Sequence, residues 1–329
     1  MYQGNCHEAR LLPESVARLV QRITALHQDA EQLLLVFDKG QNSKRNLQWL
    51  HDIKVDVVGS LVLAHHANLM NIPLSRYTQR HGGLLVWSGE RDVHGLQARI
   101  VLTYNRTLAD RQQRSFQRQL HRSEKALRSC WEHQRGRPIP KAQAALEAVV
   151  RRQRASRLWR FEITADARLV LRADTVGRRS RRSRFGKRIL FTTRRSMTAA
   201  EVLETYTRDK ARVEDDFRTL KDPDLVRFQP IRHWTDSKIQ VYALISVLAL
   251  LVIKLLGYKA KRAGMDMSSV VLASELADIR EAYLLYDSTR VIRQLTHMSK
   301  VQSQLFEILG LMAYAPTEES PLSLRIARG

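Results

Sequence analysis

The chain has 329 residues, with 55 Lys and Arg against 33 Asp and Glu, so its formal net charge is +22 at pH 7. Hydrophobic residues make up 44%, which is enough for a packed core and excludes a disordered or collagen-like chain. Two cysteines cannot form a disulfide framework or a four-cysteine zinc site. The basic balance indicates a polyanionic partner, most simply nucleic acid.

The first 63 residues follow the pattern of an α/β protein. Apolar spacing predicts an amphipathic helix over 14–28 and a strand over 33–37 that is buried on both faces. Ser43 can cap a helix that ends near Leu50, and the β-branched run 55–63 predicts a second buried strand. Strand, helix and strand with short links form a βαβ unit, which favours a parallel sheet.

Residues 64–188 interrupt this pattern and hold most of the charge. The elements predicted here are strands over 84–87, 98–104, 161–163 and 169–171, and Arg-rich helices over 108–134 and 141–158. Residues 111–188 contain 23 Lys and Arg against six Asp and Glu, so they carry +17 of the +22. A basic module inserted into a more neutral protein explains this asymmetry, although solvated helix faces explain any single arginine equally well. The phosphate contacts expected of the module centre on the run Arg178, Arg179, Arg181, Arg182 and Arg184.

The remaining segments are predicted to be mostly helical. After a strand over 189–192, Thr198 and Glu201 form a capping box that begins a helix, and Asp222-Pro223 ends it. Residues 241–253 contain no charge, but 13 residues are too few for the roughly 20 of a membrane-spanning helix. We therefore expect a helix buried in a core and no membrane partner, followed by weaker helices near 268–285 and 300–312.

Two carboxylates stand where metal chemistry would require them. Asp38 directly follows a predicted strand, at the carboxyl end of the sheet where open α/β folds place their sites, although a turn-forming aspartate is the simpler alternative. Glu214 lies on the capped helix in a stripe with Lys210, Arg218 and Lys221. This stripe is either a ladder of exposed ion pairs or a metal-binding carboxylate between phosphate-binding cations.

Five blocks of the sequence resemble the DDE transposases of bacterial insertion sequences, in the insertion-sequence 4-like superfamily. Residues 35–43, LVFDKGQNS, resemble the block around the second catalytic aspartate, and residues 2–5, YQGN, resemble the Y-x-G-N before it. Residues 213–221, VEDDFRTLK, match the core of the YREK signature, and residues 233–239, HWTDSKI, match the block after it. Phe185-Gly186-Lys187 matches the block before the last strand of the family's core.

The resemblance implies an RNase H-like core with a mixed sheet, interrupted by an insertion. On this basis residues 1–63 and 189–257 are expected to form the two parts of the core, residues 64–188 a basic α+β insertion domain, and residues 258–329 a helical tail. The first three strands of the core have no counterpart in the matched positions. The expected fold class is therefore α/β, with an incomplete RNase H-like core.

The resemblance also implies cut-and-paste transposition, in which two Mg²⁺ ions, or Mn²⁺, support strand cleavage and strand transfer. Asp38 and Glu214 correspond to the second and third acidic ligands. Lys210 and Lys221 correspond to phosphate-contacting lysines, and Arg218, Tyr206 and Arg208 complete the expected DNA contacts of this helix. The implied partners are double-stranded DNA, both element ends and target, and a second copy in a synaptic complex. The implied location is the bacterial cytoplasm, at the nucleoid.

The sequence departs from the family in two ways. The signature tyrosine should stand seven residues before Glu214, where this chain has Thr207, and Tyr206 comes one place early. The first catalytic aspartate, which lies upstream of the Y-x-G-N block in the family, has no counterpart. We therefore expect an N-terminally truncated transposase whose strand 33–37 lacks a neighbour, with a tendency to aggregate and little or no cleavage by itself. The alternative is a non-catalytic DNA-binding fragment that interferes with transposition; the lack of RNP-type aromatic motifs disfavours an RNA-binding protein.

Overall fold

The structure is a computed structural model that describes residues 8–25, 33–285 and 291–316. The block at residues 2–5 and the predicted helix end at residues 26–28 lie outside the described residues. The chain divides into two compact units, residues 2–210 and residues 211–329.

A six-stranded mixed sheet forms the centre of the first unit. Its strands are β1 (Leu34–Phe37), β2 (Asp56–Leu61), β3 (Gln79–His81), β4 (Leu84–Val93), β5 (Leu96–Tyr104) and β8 (Lys187–Thr192), in the order β1-β2-β8-β5-β4-β3. Only β1 and β2 pair in parallel, and the other neighbours are antiparallel. The expected parallel sheet is thus a mixed one, because the short turns that join β3, β4 and β5 can link only antiparallel neighbours.

Helices cover both faces of this sheet. On one face α1 (Glu8–Ala25) and α2 (Lys44–Asp52) pack against Val57 and Leu61 of β2. On the other face, residues 199–206 of α7 (Ala199–Lys221) pack against Val58. Because side chains alternate along a strand, Ser60 lies on the same face as Val58, towards α7. The edge strand β1 is only half-buried, whereas the sequence predicts burial on both faces.

The predicted boundary at residue 64 differs from the structure. Strands β3 to β5, assigned to the insertion, belong to the central sheet, since Ile100 of β5 pairs with Phe191 of β8. Their apolar side chains complete the two cores described above. The segment that projects from the sheet is therefore shorter than the predicted insertion of residues 64–188. It comprises residues 106–186, which we call the basic lobe.

The basic lobe is built from three helices and a hairpin. These are α4 (Arg106–Gln134), α5 (Ile139–Arg152), α6 (Thr175–Arg182), and the antiparallel strands β6 (Trp159–Ile163) and β7 (Leu169–Ala173). Leu127 of α4 and Leu146 of α5 are fully buried in its core. Trp159 donates from Nε1 to Ser123 Oγ at 2.9 Å, which fixes the hairpin to α4. Helix α5 ends at Arg152 rather than near residue 158 as predicted.

The second unit contains the end of α7, three further helices and a hairpin. These elements are α8 (Asp236–Arg262), α9 (Ser269–Ala277), β9 (Glu281–Leu285), β10 (Val291–Leu295) and α10 (Lys300–Ile308). The prediction of helix up to residue 285 is wrong, because residues 281–285 pair antiparallel with residues 291–295. The expected helical tail therefore contains a β-hairpin.

Helix α8 also differs from its prediction. It was expected to be buried, yet only 6% of its most apolar stretch is buried. By length and composition alone it could cross a bilayer. Ser246 and Ala260 are its buried residues, and Ala260 packs against Leu272 and Leu305. Lys254 binds Asp215 and Asp216 of α7 at 2.6 and 2.8 Å.

Candidate functional site

The backbone places Asp38 at the carboxyl end of β1, as the sequence predicts. Asp38 has an extended conformation and caps the 3₁₀ turn Lys39–Gln41, accepting from the Lys39 N–H at 2.8 Å. In the parallel pair, Phe37 stands opposite Gly59. The next residues, Asp38 and Ser60, are therefore neighbours across the two strand ends.

Two buried hydroxyls hold the Asp38 carboxylate. Ser60 Oγ, 1% exposed, donates to Asp38 Oδ1 at 2.7 Å. The hydroxyl of Tyr206, 3% exposed, lies 3.2 Å from the same oxygen and 3.1 Å from Ser60 Oγ. All three hydrogen bonds, counting the one from Lys39, fall on Oδ1, while Asp38 itself is solvent-exposed. These three hydrogen bonds fix one carboxylate oxygen, Oδ1.

The surroundings keep this carboxyl ionised. Partial burial, the largest single effect, raises the pKa of Asp38, and hydrogen bonds from Ser60 and the Lys39 N–H lower it. The charge of Lys210 and the Tyr206 hydroxyl also lower it, so the pKa lies below the ordinary value of 3.8. At neutral pH Asp38 is an anchored anion with a solvent-facing oxygen.

Such an oxygen suits a hard divalent cation. Mg²⁺ prefers carboxylate and water oxygens and commonly uses one or two protein carboxylates. Among the described residues no group of three or more His, Cys, Asp and Glu comes together as a metal site. Asp38 thus fits the role of one ligand. Its pairing with Glu214, which belongs to the other unit, stays a prediction.

The predicted site residues on the later part of α7 are exposed. Glu214 is exposed on this helix, four residues after Lys210 as the stripe requires. Arg218 contacts Asp215 Oδ1 at 3.3 Å, and the Lys221 ammonium lies 5.9 Å from the Phe217 ring centre.

Arg208, predicted as a DNA contact, pairs with its neighbour Asp209 at 2.9 Å. Its side chain is nevertheless 56% exposed, as the Arg218 side chain is at 75%. Both guanidinium groups therefore remain accessible to phosphate, and exposed ion pairs of this kind contribute little to stability.

The predicted DNA contact of Tyr206 is not compatible with its position. A ring that stacks on DNA must reach solvent, whereas Tyr206 is 3% exposed and packs in the sheet–helix core. One helical position is a turn of about 100°, so Thr207, in the expected place, is exposed instead. The early tyrosine contacts Asp38 rather than solvent.

Four arginines of the run lie on α6 and Arg184 follows it, and the five differ in environment. Arg178 lies 4.1 Å from the Trp159 ring centre and donates from Nε to the Leu158 carbonyl at 2.9 Å. Burial, followed by the charge of Arg182, lowers its pKa. Arg178 is therefore a packing residue of the lobe rather than a phosphate contact.

The other members of the run are better placed for an anion. The guanidinium carbons of Arg181 and Arg182 lie 5.2 and 5.6 Å from the Phe116 ring centre, and Arg184 donates to Ser180 Oγ at 2.8 Å. Arg179 is exposed.

A cavity of about 360 Å³ lies beside this helix. Arg179 and Arg184 line one side of it, and apolar residues that include Leu63 and Met70 line the other.

Sequence reasoning missed Ser60 and the inward role of Tyr206. Ser60 is the only hydroxyl in the apolar stretch 57–63, and it lies in the strand beside the aspartate strand. That position could have indicated a partner for Asp38. The side-chain amide of Asn42 donates to the Ser60 carbonyl and ties the loop after Asp38 to β2.

No protein-family model, curated protein or solved structure matches this chain. The fold and the site define a mixed α/β protein with an anchored carboxylate at the edge of its central sheet. A strongly basic lobe projects from the same sheet.

Proposed function

We propose that the chain is a DNA-binding protein of the insertion-sequence transposase type, in which Asp38 and Glu214 are carboxylate ligands for Mg²⁺ or Mn²⁺. The observation that carries the proposal is the Asp38 carboxylate, ionised and held through one oxygen at the carboxyl end of β1. This agrees with the five sequence blocks that resemble DDE transposases. The concentration of charge in residues 111–188 adds independent support for a DNA partner.

In the proposed chemistry a bound metal pair would activate the attacking water or 3′-hydroxyl and stabilise the leaving oxygen. Asp38 would supply Oδ2, while Ser60 and Tyr206 hold Oδ1 so that the carboxylate keeps one orientation. Lys210, whose charge already acts on Asp38, would attract the scissile phosphate towards the carboxylate. Arg218 and Lys221 would contact phosphates further along the strand.

The basic lobe would bind the duplex through its backbone. Exposed arginines such as Arg179 and Arg182 can contact phosphate while Arg178 supports the helix from within. Each phosphate neutralised makes the affinity more salt-dependent, by about 0.9 in the slope of log K against log salt. Binding should therefore weaken steeply as salt rises.

A second function rests on the same lobe. The lobe has its own buried core and needs no metal site to hold DNA, so the chain could bind DNA without cutting it. We propose DNA binding without cleavage, with interference with a complete transposase, as the alternative function.

Two measurements test these proposals. Fluorescence anisotropy with a labelled duplex at several salt concentrations should show tight, salt-dependent binding. Arg179→Gln with Arg182→Gln should reduce the slope by about 2. A matched pair on strands β3 and β4, Arg80→Gln with Arg91→Gln, should leave it nearly unchanged. Loss of affinity in the control pair alone would refute the assignment to the lobe.

Nicking of supercoiled plasmid in Mg²⁺ or Mn²⁺ distinguishes the two functions. Nicking that Asp38→Asn abolishes supports the metal-dependent enzyme, and DNA binding without nicking supports the non-catalytic alternative. An absence of DNA binding would contradict both.

A further inference from the structure

A second cavity, of about 350 Å³, is lined entirely by residues of the first unit. Its volume falls in the range of about 300–1,000 Å³ that is usual for small-molecule sites. It lies where the end of β5, the first turns of α4 and the residues between α6 and β8 meet. Its largely apolar lining residues are Leu74, Tyr104, Ala109 and Phe185, and its polar ones are Asp110, Gln113, Arg182, Ser183 and Lys187.

The fold fixes the backbone of Lys187 at this cavity. Lys187 is the first residue of β8 and stands opposite Tyr104 of β5 in the antiparallel register. In the turn before it, the Gly186 N–H donates to Gln112 Oε1 at 2.7 Å, and the Gly186 carbonyl accepts from the Asn105 N–H at 2.8 Å. The backbone that carries Lys187 is therefore held in place without a ligand, which lowers the ordering cost of binding one.

The Lys187 side chain is half-buried, and its ammonium group is poorly compensated. Its Nζ donates to the Met70 carbonyl at 2.8 Å and lies 6.0 Å from the Tyr77 ring centre. Asp110, the one carboxylate among the lining residues, is exposed. Burial lowers the pKa of Lys187, because desolvation disfavours the charged form and no described carboxylate offsets the effect.

A lysine in these surroundings can act as a nucleophile. The neutral amine has a lone pair that the ammonium form lacks, and desolvated lysines are the ones that form Schiff bases with carbonyl compounds. The Met70 carbonyl takes up one N–H of Lys187 and leaves the lone pair of the neutral amine unused. Because Lys187 lines the cavity, a small molecule with an electrophilic carbon can reach this amine.

The same cavity carries groups that bind a phosphate. Arg182 is exposed, and its guanidinium carbon lies 5.6 Å from the Phe116 ring centre, so the ring supports the side chain. The forked donors of an arginine match two oxygens of a phosphate, and the Gln113 carboxamide supplies two further N–H donors. The Ser183 hydroxyl is not among these donors, because it already donates to the Ser180 carbonyl at 2.9 Å.

We propose that this cavity binds a small aldehyde that carries a phosphate group, and that Lys187 forms an imine with it. The neutral Nζ adds to the aldehyde carbon, and the carbinolamine then loses water, so that a C=N bond replaces the C=O bond. The two amine protons leave with the aldehyde oxygen as water, nothing is oxidised or reduced, and hydrolysis reverses the step. The Asp110 carboxylate can take a proton from the nitrogen and return it to the departing oxygen, while Arg182 and Gln113 hold the phosphate. No residue of the Asp38 site lines this cavity, so the inference does not depend on the proposed metal chemistry.

Pyridoxal 5′-phosphate, an aldehyde that carries a phosphate, tests the proposal with the full chain at pH 7. Imine formation gives a visible absorption band, and borohydride reduces the imine to a stable amine that peptide mass spectrometry can locate. We expect Lys187 to be labelled ahead of the exposed Lys54 and Lys141. Lys187→Arg keeps the charge and should lose the label, with helix content by circular dichroism unchanged. Equal labelling of the three lysines, or a band that survives Lys187→Arg, would overturn the proposal.

The phosphate contact is tested by titrations that leave Lys187 intact. Arg182→Gln should raise the half-saturating concentration of pyridoxal 5′-phosphate about tenfold, the loss expected for one hydrogen bond to a charged group. Pyridoxal, which lacks the phosphate, should bind the wild type about tenfold more weakly for the same reason. The matched control Arg179→Gln, on the same helix but not on this cavity, should leave the half-saturating concentration unchanged. Equal affinity for the two aldehydes, or equal losses in the two variants, would overturn the phosphate site. Borohydride trapping of Lys187 on a duplex with an abasic nucleotide, but not by pyridoxal 5′-phosphate, would identify DNA as the source of the aldehyde and overturn the small-molecule assignment.

Discussion

Replacing Ser60 with alanine removes the shortest side-chain hydrogen bond to Asp38. The donor is 2.7 Å from Oδ1 and 1% exposed, so water does not easily take its place. A hydrogen bond to a charged group contributes about 1.5–3 kcal/mol, and because Asp38 is itself exposed we expect a loss near the lower limit, about 1.5 kcal/mol. For Tyr206→Phe, where the bond to Asp38 is longer at 3.2 Å, we expect about 1 kcal/mol. Urea unfolding followed by circular dichroism measures both.

The same substitutions should weaken metal binding, because the carboxylate would lose its fixed orientation. Partners behind a ligand change metal affinity by about 10- to 100-fold when removed, so we expect about tenfold weaker Mn²⁺ binding for each variant. Isothermal titration calorimetry with Mn²⁺ alone measures this without any DNA. Asp38→Asn is the matched control: it keeps an oxygen for Ser60 but loses the charge, and should abolish binding.

Two results would refute the reasoning. If Ser60→Ala and Tyr206→Phe lowered stability but bound Mn²⁺ as well as wild type, the hydroxyls would serve packing alone. If Asp38→Asn bound Mn²⁺ unchanged, Asp38 would not be a ligand at all. Rescue by Ser60→Thr, which restores a hydroxyl, would separate a lost hydrogen bond from a general disturbance of β2.

The remaining predictions concern the stability of the first unit, and urea unfolding measures each of them. Gly186→Ala should cost about 2 kcal/mol, since Gly186 has a φ of +69° and an added Cβ would lie 2.5 Å from the Asn105 carbonyl oxygen. Gly136→Ala, with φ of +78° but nothing within 4 Å, should cost only about 1 kcal/mol, and equal losses would contradict the steric argument. Tyr77→Phe should be neutral or stabilising by about 1 kcal/mol, because the buried Tyr77 hydroxyl has no hydrogen-bond partner among the described residues. Burial raises the pKa of Tyr77 to about 12, so the wild type should lose stability as pH rises from about 10 towards 12, where the unfolded chain releases this proton first. The Tyr77→Phe variant should lose less stability than the wild type between about pH 10 and 12. An equal loss in both proteins would contradict the argument that burial raises the pKa of Tyr77. Arg178→Gln should destabilise the basic lobe by about 1–2 kcal/mol through the lost Trp159 stacking, whereas Arg179→Gln should change its stability by less than about 0.5 kcal/mol.

The sequence alone predicted those structural features that depend only on residues close together in the chain, such as helix caps and strand ends. Ser43 caps α2 by accepting from the Asn46 N–H at 3.1 Å, and Thr198 and Glu201 form the expected capping box. The aspartate at the end of β1 was predicted for the same reason, since a short apolar run followed by Asp-Lys-Gly ends a strand wherever it lies. These features depend on spacing along the chain alone.

The sequence alone did not predict how segments that are distant in the chain pair and pack. Strands β4 and β5 carry the same alternation whether they form a separate domain or join the central sheet, and only their register with β8 settles this. Whether the Tyr206 side chain points into the core or towards solvent depends on which face of α7 packs against Val58, and only the fold determines that face. The local sequence of residues 281–285 is compatible with a helix. These residues form a strand because they pair with residues 291–295.

The sequence by itself determined the concentration of charge and the carboxylate at a strand end. The tertiary structure alone decided that Ser60 and Tyr206 meet Asp38 and that Arg178 supports the lobe from within. The physical reason is the same in each case. Side-chain type and period are properties of the chain, whereas burial and hydrogen bonding depend on which distant segments the fold brings together.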